Sequence, residues 1–79
     1  MSRKSQQSPQ YQKLKVLLRQ MRKDAGLTQE QLAAKLRVPQ SFIYKSETAI
    51  RRVDLAEFVT WAKACGTNPI SAVRRFLRQ

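Results

Sequence analysis

Apolar residues recur along the chain at the three- and four-residue intervals of a helix that packs on one side. The first such stretch predicts a helix over about residues 11–25, and Gly26 ends it as a left-handed cap residue would. Its apolar face is formed by Leu14, Leu17, Leu18 and Met21. The rest of the chain follows the same pattern, so we expect an all-α fold.

Two further helix starts carry complete capping signals. In the stretch LTQEQL, Thr28 is the predicted N-cap and Gln31 lies at the third helical position, so each side chain can bond the other residue's backbone amide. Asp54 and Glu57 repeat the arrangement in VDLAEF. An apolar residue before each cap can pack on the fourth helical position, Leu27 on Leu32 and Val53 on Phe58. These signals mark the starts of the second and fourth helices.

The fourth helix is predicted to reach about Cys65, where Gly66 closes it. Asn68 followed by Pro69 is a cap and a first-position proline, so a fifth helix begins there. Its apolar positions are Ile70, Val73 and Leu77. Together these features predict a compact five-helix bundle.

A short third helix is predicted over about residues 39–48, with Pro39 in its first turn. Only residues 36–38 separate it from the second helix, so the two helices cannot lie antiparallel and must cross steeply. That is the geometry of a helix-turn-helix, here over about residues 29–48. Ala33 is the small residue that the crossing needs. The apolar residues expected to lock it are Leu32, Leu36, Val38 and Ile43.

The charge balance indicates the class of partner. Sixteen Lys and Arg against five Asp and Glu give a net charge of +11, and an anionic partner would offset the resulting self-repulsion. Nucleic acid fits best, with an anionic membrane, an RNA surface, or no partner at all as alternatives. Residues 1–10 lack aliphatic side chains apart from Met1, so we expect a flexible basic and polar arm there, followed by one domain over residues 11–79.

Several classes of function are disfavoured. The chain has no histidine and no glycine-rich phosphate loop, and its five carboxylates form no suggestive pair, so we expect no enzyme, no cofactor and no metal site. Cys65, the only cysteine, is expected to be a small buried hydrophobe in a reducing compartment. A polar N-terminus and the lack of an apolar run of about 20 residues favour a cytoplasmic, nucleoid-associated protein without a membrane segment.

The combination of GLTQEQLAAKL, VPQSFI and RRVDLAEF resembles the phage repressor/Cro-like family, also called the XRE family, over roughly residues 14–77. The resemblance implies a lambda-repressor-like DNA-binding domain whose third helix enters the major groove, usually as a two-fold dimer. It implies base-facing roles for Gln40, Ser41, Tyr44 and Lys45. It implies roles near the phosphates for Thr28, Gln29, Thr48, Arg51 and Arg52, and a bridge between Arg22 and Glu47.

Helical geometry leads to the same face of the third helix. At about 100° per residue, one arc holds the predicted base-facing residues with Thr48, and the other holds Ile43, Ser46, Glu47 and Ile50. The first arc bears amide, hydroxyl, phenol and amine groups; Gln40 suits adenine and Lys45 suits guanine. Phe42 lies at the border and is expected to pack laterally, with a thymine methyl as the alternative contact. The amides that begin the second helix suit a phosphate oxygen.

Three positions depart from the family pattern. Arg37 stands where glycine usually adopts positive φ, at a cost of about 1 kcal/mol, and adds a cation beside the DNA-facing turn. Ala49 stands where glycine or asparagine often ends the third helix, so we expect that helix to extend toward Ile50. Ser46 stands where a large apolar residue is usually buried. The candidates to fill the space beside it are Phe58, Trp61 and the shifted Ile50.

We therefore expect a sequence-specific transcriptional regulator that represses by steric competition, as a homodimer on a palindromic operator. The candidate dimer seam is the fifth helix at Val73, Phe76 and Leu77, although these residues could instead close the monomer's own core. The alternative is an antitoxin or adaptor that binds a toxin or another regulator. Such a protein would need an extension outside the core, where we find only the arm and two terminal residues. A basic RNA- or membrane-binding bundle, without sequence preference, is the third possibility.

Overall fold

The computed structural model describes residues 8–78, and within that range the chain forms five helices and no strands. They are α1 (Pro9–Asp24), α2 (Gln29–Leu36), α3 (Gln40–Glu47), α4 (Leu55–Ala64) and α5 (Pro69–Arg78). The predicted all-α fold with five helices is confirmed for this part of the chain. Residues 1–7 of the predicted arm, with Arg3 and Lys4, and residue 79 lie outside the described residues.

The first helix begins two residues before its predicted start. Ser8 is its N-cap and its Oγ accepts a hydrogen bond from the Tyr11 amide at 3.1 Å, while Pro9 occupies the first helical position. A proline there removes no bond from the helix, because the first amides have no partner inside it. The helix therefore starts at a cap followed by a proline, the same signal that opens α5, and includes residues 9 and 10 of the predicted arm.

Both predicted capping boxes are formed. The Gln31 amide donates to Thr28 Oγ1 at 3.1 Å, and the Thr28 amide donates to Gln31 Oε1 at 2.9 Å. The Glu57 amide donates to Asp54 Oδ1 at 2.8 Å, and the Asp54 amide donates to Glu57 Oε1 at 3.1 Å. Each box satisfies amides at a helix start that would otherwise need water.

The remaining predicted ends are also present. Gly26 and Gly66 adopt left-handed backbone angles, with φ of 73° and 72°, just after α1 and α4. The Asn68 side chain accepts a hydrogen bond from the Ile70 amide at 2.8 Å and so caps the start of α5. These ends depend on one or two residues each, which is why local sequence predicts them.

The core lies where α1, α4 and α5 meet the paired helices α2 and α3. Trp61 is 1% exposed, and its indole Nε1 donates to the Leu18 carbonyl at 3.1 Å, so its polar atom is satisfied inside the core. Ala33 is buried at the α2–α3 packing, as predicted. The core side chains with no measurable exposure are Leu17, Leu18, Met21, Leu32, Ile43, Ala62 and Ala72.

The third helix ends earlier than predicted. It stops at Glu47, and Ala49 adopts a left-handed φ of 63°. The Ile50 amide then donates to the Lys45 carbonyl at 2.8 Å, which closes the helix end in the manner of a left-handed cap. The predicted extension is therefore wrong, because alanine takes the angles that glycine usually supplies. Ile50 is 60% exposed, so it neither joins the buried arc nor fills the space beside Ser46.

Candidate nucleic-acid interface

Helix α3 has one exposed polar face and one buried face. The exposed side chains are Gln40, Ser41, Tyr44 and Lys45, with Thr48 at the helix end. Ile43, Ser46 and Glu47 are buried on the opposite side. Phe42, at the border, is half-buried against the core, which agrees with the predicted lateral packing. Apart from Ile50, the two predicted arcs of this helix are present.

A buried ion pair joins this helix to α1. Arg22 Nε and Nη2 donate to the two carboxylate oxygens of Glu47 at 2.6 and 3.0 Å, and Arg22 Nη1 donates to the Leu27 carbonyl at 2.9 Å. The two side chains are 9% and 3% exposed. Hydrogen bonding to Glu47 raises the pKa of Arg22 above its ordinary value. The predicted pair is thus a bidentate contact, which fixes orientation as well as distance.

Two glutamines extend this network toward the surface. Gln29 Nε2 donates to Glu47 Oε1 at 3.2 Å, and Gln40 Nε2 donates to Gln29 Oε1 at 3.3 Å. The first residues of α2 and α3 are therefore linked through their side chains. This link restrains Gln40, a predicted base-facing residue, through the same carboxylate that binds α1.

The turn between α2 and α3 carries an exposed cation. Arg37 adopts a left-handed φ of 59°, as predicted, and its amide donates to the Ala34 carbonyl at 3.2 Å. The Val38 amide donates to the Ala33 carbonyl at 3.0 Å and completes the cap of α2. Arg37 is exposed, and so is Thr28 at the other end of α2. The two residues mark the ends of the helix that precedes α3.

Arg51, which was predicted to lie near a phosphate, makes several contacts within the fold. Its Nη1 and Nη2 donate to the two carboxylate oxygens of Glu57 at 3.2 and 3.0 Å, and this bond lowers the pKa of Glu57 below its ordinary value. The guanidinium lies over the Phe42 ring, 3.9 Å from its centroid. Nη1 also lies 3.4 Å from Ser46 Oγ. These contacts engage the Arg51 guanidinium within the fold, so we do not include it among the phosphate contacts proposed below; its role near a phosphate stays a prediction.

Tyr11 anchors the loop that follows α3, a role that the sequence did not indicate. Its hydroxyl accepts a hydrogen bond from the Val53 amide at 2.6 Å and donates to the Arg51 carbonyl at 3.4 Å. The Arg52 guanidinium lies over the Tyr11 ring, 5.3 Å from its centroid. Arg52 is exposed, and its contact with the Tyr11 ring orients its side chain against α1. Because the partners lie 40 to 42 positions from Tyr11 in the sequence, no local pattern could have predicted these contacts.

Helix α5 divides its apolar residues between core and solvent. Ala72 is buried and Phe76 packs half-buried against the core, whereas Val73 and Leu77 are 40% and 72% exposed. An open groove of about 240 Å³ runs beside this exposed side, and its apolar walls are Leu14, Val53, Leu55, Phe58, Val73 and Phe76. Of the predicted seam residues, Val73 and Leu77 are available at the surface, and Phe76 mainly closes the monomer.

Three further observations concern metal ligands, membrane-spanning helices and the cysteine within residues 8–78. No three Cys, His, Asp or Glu side chains in that range lie close enough together to hold a metal ion. No helix there is long and apolar enough to cross a membrane. Cys65 is buried, and burial raises the pKa of its thiol, so the group stays protonated near neutral pH.

Comparison with known proteins decides the family. A family model described as a helix-turn-helix domain matches residues 14–78. A solved structure of an XRE-family like protein from Pseudomonas syringae pv. tomato str. DC3000 is 40% identical in sequence and superposes with a TM-score of 0.85. The match covers 95% of this chain and 92% of that chain. This chain belongs to the XRE family of helix-turn-helix DNA-binding proteins. No curated protein matches the sequence.

Membership of the XRE family identifies the class of protein to which this arrangement of helices belongs. The helix-turn-helix is formed by α2 and α3, and the chain is a DNA-binding regulator. In this XRE-family chain the ion pair of Arg22 and Glu47 joins α3 to α1. The ion pair of Arg51 and Glu57 joins the loop after α3 to α4. The side chains that remain exposed on α3 are therefore presented by a firmly held element.

Proposed function

We propose that this XRE-family regulator is a sequence-specific transcriptional repressor that inserts α3 into the major groove of double-stranded DNA. The observation that carries the proposal is the contrast between the two faces of α3: Tyr44 is 51% exposed, whereas the adjacent turn of the helix is locked inward through Glu47. A helix held in this way loses little side-chain and backbone freedom on binding, which favours affinity. Repression would follow from steric competition with polymerase at the same DNA.

The proposed contacts fall into two groups. Base edges would be contacted by Gln40, Ser41, Tyr44 and Lys45, which share the exposed face of α3. Phosphates would be contacted by Thr28, Gln29, Arg37, Thr48 and Arg52. The amide, hydroxyl and amine groups of the first group match the donors and acceptors of base edges in the major groove. The second group flanks α3 on its helix-turn-helix partner and on the loop that follows.

We also propose a two-fold dimer in which α5 forms the seam. Ile70, Val73 and Leu77 follow helical spacing on one side of α5 and are 65%, 40% and 72% exposed. Contiguous apolar surface of this kind commonly marks an interface. A single α3 contacts only a few base pairs, and a dimer would contact two half-sites about 34–36 Å apart.

The function is tested by selecting short duplexes from a random pool and measuring binding of the full chain against random competitor DNA. We expect enrichment of a palindromic sequence and a steep loss of affinity with salt. Gln40→Ala and Tyr44→Ala should bind the selected duplex more weakly, by about 1–3 kcal/mol for a lost base contact. Lys63→Ala, an exposed change on α4, is the matched control. Unchanged affinity and selectivity in both α3 variants would show that α3 is not the recognition element.

The dimer is tested by sedimentation of the full chain and of Leu77→Glu, with Val16→Glu as the control. Val16 is 54% exposed on α1, so its replacement adds the same charge at an exposed apolar position away from α5. We expect Leu77→Glu to be monomeric. Its loss of affinity should be larger for the palindromic duplex than for a duplex that contains one half-site. A parent chain that stays monomeric on DNA would refute the dimer. Capture of a distinct protein by the α5 face, with DNA binding only secondary, would favour the antitoxin or adaptor alternative.

A further inference from the structure

An open cleft of about 290 Å³ separates α1 from the exposed face of α3. Arg19 lines its α1 side, and Tyr44 and Thr48 line its α3 side. All three of these side chains are exposed. Arg22, Gln29 and Glu47 also line the cleft, so the buried ion pair forms part of its floor. The cleft therefore joins the proposed recognition surface to a helix that has no assigned role in binding.

The floor of this cleft carries no unbalanced charge. Glu47 accepts hydrogen bonds from Arg22 at 2.6 and 3.0 Å and from Gln29 at 3.2 Å, so its carboxylate is neutralised and fully engaged. Thr48 Oγ1 donates to the Tyr44 carbonyl at 2.8 Å. What remains at the rim is a cation on one side and a phenol on the other.

Arg19 differs in this respect from Arg22, the other arginine of the cleft. Arg22, Arg51 and Arg75 form ion pairs within residues 8–78, and Arg19 takes part in none of them. An exposed arginine without an acidic partner offers its full charge and several N–H donors to an anion. In this chain of net charge +11, the Arg19 cation lies in the cleft beside α3 and not on a surface distant from it.

We infer that Arg19 and Tyr44 form a phosphate-binding site at the junction of α1 and α3, and that its ligand is a phosphodiester of the DNA strand that borders the groove occupied by α3. The inference rests on the proposed function, because it assumes that α3 approaches DNA. It adds α1 to the interface. The guanidinium would bind the phosphate from the α1 side, and the Tyr44 hydroxyl would donate to it from α3. In this refinement of the proposed contacts, the Tyr44 hydroxyl contacts a phosphate in place of a base edge.

The first test measures the salt dependence of binding for the parent, Arg19→Ala, Arg19→Lys and Lys63→Ala, on the selected duplex. Loss of one phosphate contact should reduce the slope of log affinity against log salt by about 0.9. The affinity advantage of the parent over Arg19→Ala should therefore shrink about three- to fourfold between about 50 and 200 mM salt. Arg19→Lys should restore most of the slope, because it keeps the charge. Lys63→Ala removes the same charge away from the cleft and should keep the parent slope.

The second test locates the phosphate. Duplexes that carry a single neutral methylphosphonate at each successive position are bound by the parent and by Arg19→Ala. We expect one position in each half-site at which neutralisation weakens the parent but leaves Arg19→Ala unchanged. A merely structural role for Arg19 would lower affinity equally at every position and would show no such coupling.

The outcomes separate the inference from the function on which it rests. Selective binding by the parent, with the parent slope retained in Arg19→Ala, overturns the α1 site and leaves the recognition helix standing. Equal slope losses in Arg19→Ala and Lys63→Ala also overturn it, because they would reflect net charge alone. If no duplex is selected, the proposed function fails; the slopes are then measured on random duplex, and equal slopes there overturn the site as well.

Discussion

Two residues that are not glycine adopt left-handed angles on either side of α3, Arg37 with φ of 59° and Ala49 with φ of 63°. Each carries a Cβ that this conformation crowds, at a cost of about 1 kcal/mol. Both positions end a helix, where the next amides turn back to satisfy the last carbonyls. Arg37 thus follows the end of α2, and Ala49 follows the end of α3, each in a conformation that the surrounding contacts must maintain.

Replacement of Ala49 by glycine should relieve this strain. We expect Ala49→Gly to raise the free energy of unfolding by about 0.5–1 kcal/mol, measured by urea denaturation. The matched control is Ala34→Gly, at an exposed position inside α2, which should lower it by about 0.5–1 kcal/mol. Equal destabilisation by both changes would contradict the left-handed conformation at residue 49.

Ser46 illustrates how one small polar residue is accommodated in a buried position. It is 1% exposed, and its hydroxyl donates to the Phe42 carbonyl at 2.7 Å and lies 3.4 Å from the Arg51 guanidinium. The guanidinium is in turn held by Glu57. A charged side chain therefore lies beside Ser46, which the sequence did not lead us to expect.

Enlarging Ser46 should disturb packing before it disturbs binding. Ser46→Leu would displace the Arg51 guanidinium from its place over Phe42, so we expect a loss of about 1–3 kcal/mol in the free energy of unfolding. Thermal unfolding of Ser46→Leu and of the smaller Ser46→Ala measures it. A stabilised Ser46→Leu would mean that an unfilled space lies beside the residue, contrary to the observed Arg51 contact.

At the scale of elements, α3 is held from three sides. Arg22 joins it to α1, and the turn at Arg37 joins it to α2. Arg51 contacts Phe42 and Ser46 of α3 and pairs with Glu57 at the start of α4. Glu57 takes part twice, because it also completes the capping box of α4 with Asp54. The start of one helix and the position of another therefore depend on a single carboxylate.

This dual use of Glu57 predicts a dependence of stability on pH. Its pKa is lowered in the folded chain, chiefly by the hydrogen bond from Arg51, so the charged form stabilises the fold above the unfolded pKa of about 4.3. That stability should be lost as the pH falls through the lowered folded pKa. Glu57→Gln keeps an acceptor for the capping box but removes the charge; we expect it to be less stable by about 0.5–1 kcal/mol near pH 7.

The measurement is urea denaturation of the parent and Glu57→Gln from neutral to acidic pH. The gap between the two should close at the acidic end. Glu30→Gln is the control, since Glu30 is exposed and belongs to none of the ion pairs within residues 8–78. A gap that persists unchanged to the lowest pH would show that the loss arises from packing rather than from charge.

At the scale of the whole molecule, charge dominates. The sequence carries a net charge of +11. The five carboxylates can balance at most five of the sixteen cations, and Arg22, Arg51 and Arg75 are among the residues engaged in ion pairs. Most of the cations are therefore exposed to one another's repulsion, which favours an anionic partner and weakens the compact state without one. The proposed repressor function and the marginal stability of a small domain thus have a common physical origin.

Added salt should stabilise the protein in the absence of DNA. Salt screens the repulsion between surface cations more strongly than it screens the buried pair of Arg22 and Glu47. A gain of about 1 kcal/mol would raise the Tm of a domain of this size by about 4–8 °C. Calorimetry in KCl at constant pH measures the change, and DNA affinity should fall over the same range. A Tm that decreases with salt would mean that attractive ion pairs outweigh the net repulsion.

The sequence by itself determined the features that depend on a few adjacent residues. Thr28 with Gln31 and Asp54 with Glu57 marked two helix starts, because a capping box is completed within four residues. The fixed rotation per residue separated the exposed arc of α3 from its buried arc. The order of helices, and with it the family, followed from these local signals.

The tertiary structure decided what depends on partners far apart in the chain or on strain that the surroundings balance. Arg51 turns inward because Glu57 and Phe42 meet beside Ser46, and Ala49 ends α3 because the backbone beyond it is held in place. Tyr11 binds a loop 42 residues away. Arg19 and Tyr44 line one cleft only because α1 lies beside α3. Packing between residues far apart in the chain decides the side-chain direction at such positions, so the local sequence does not predict it.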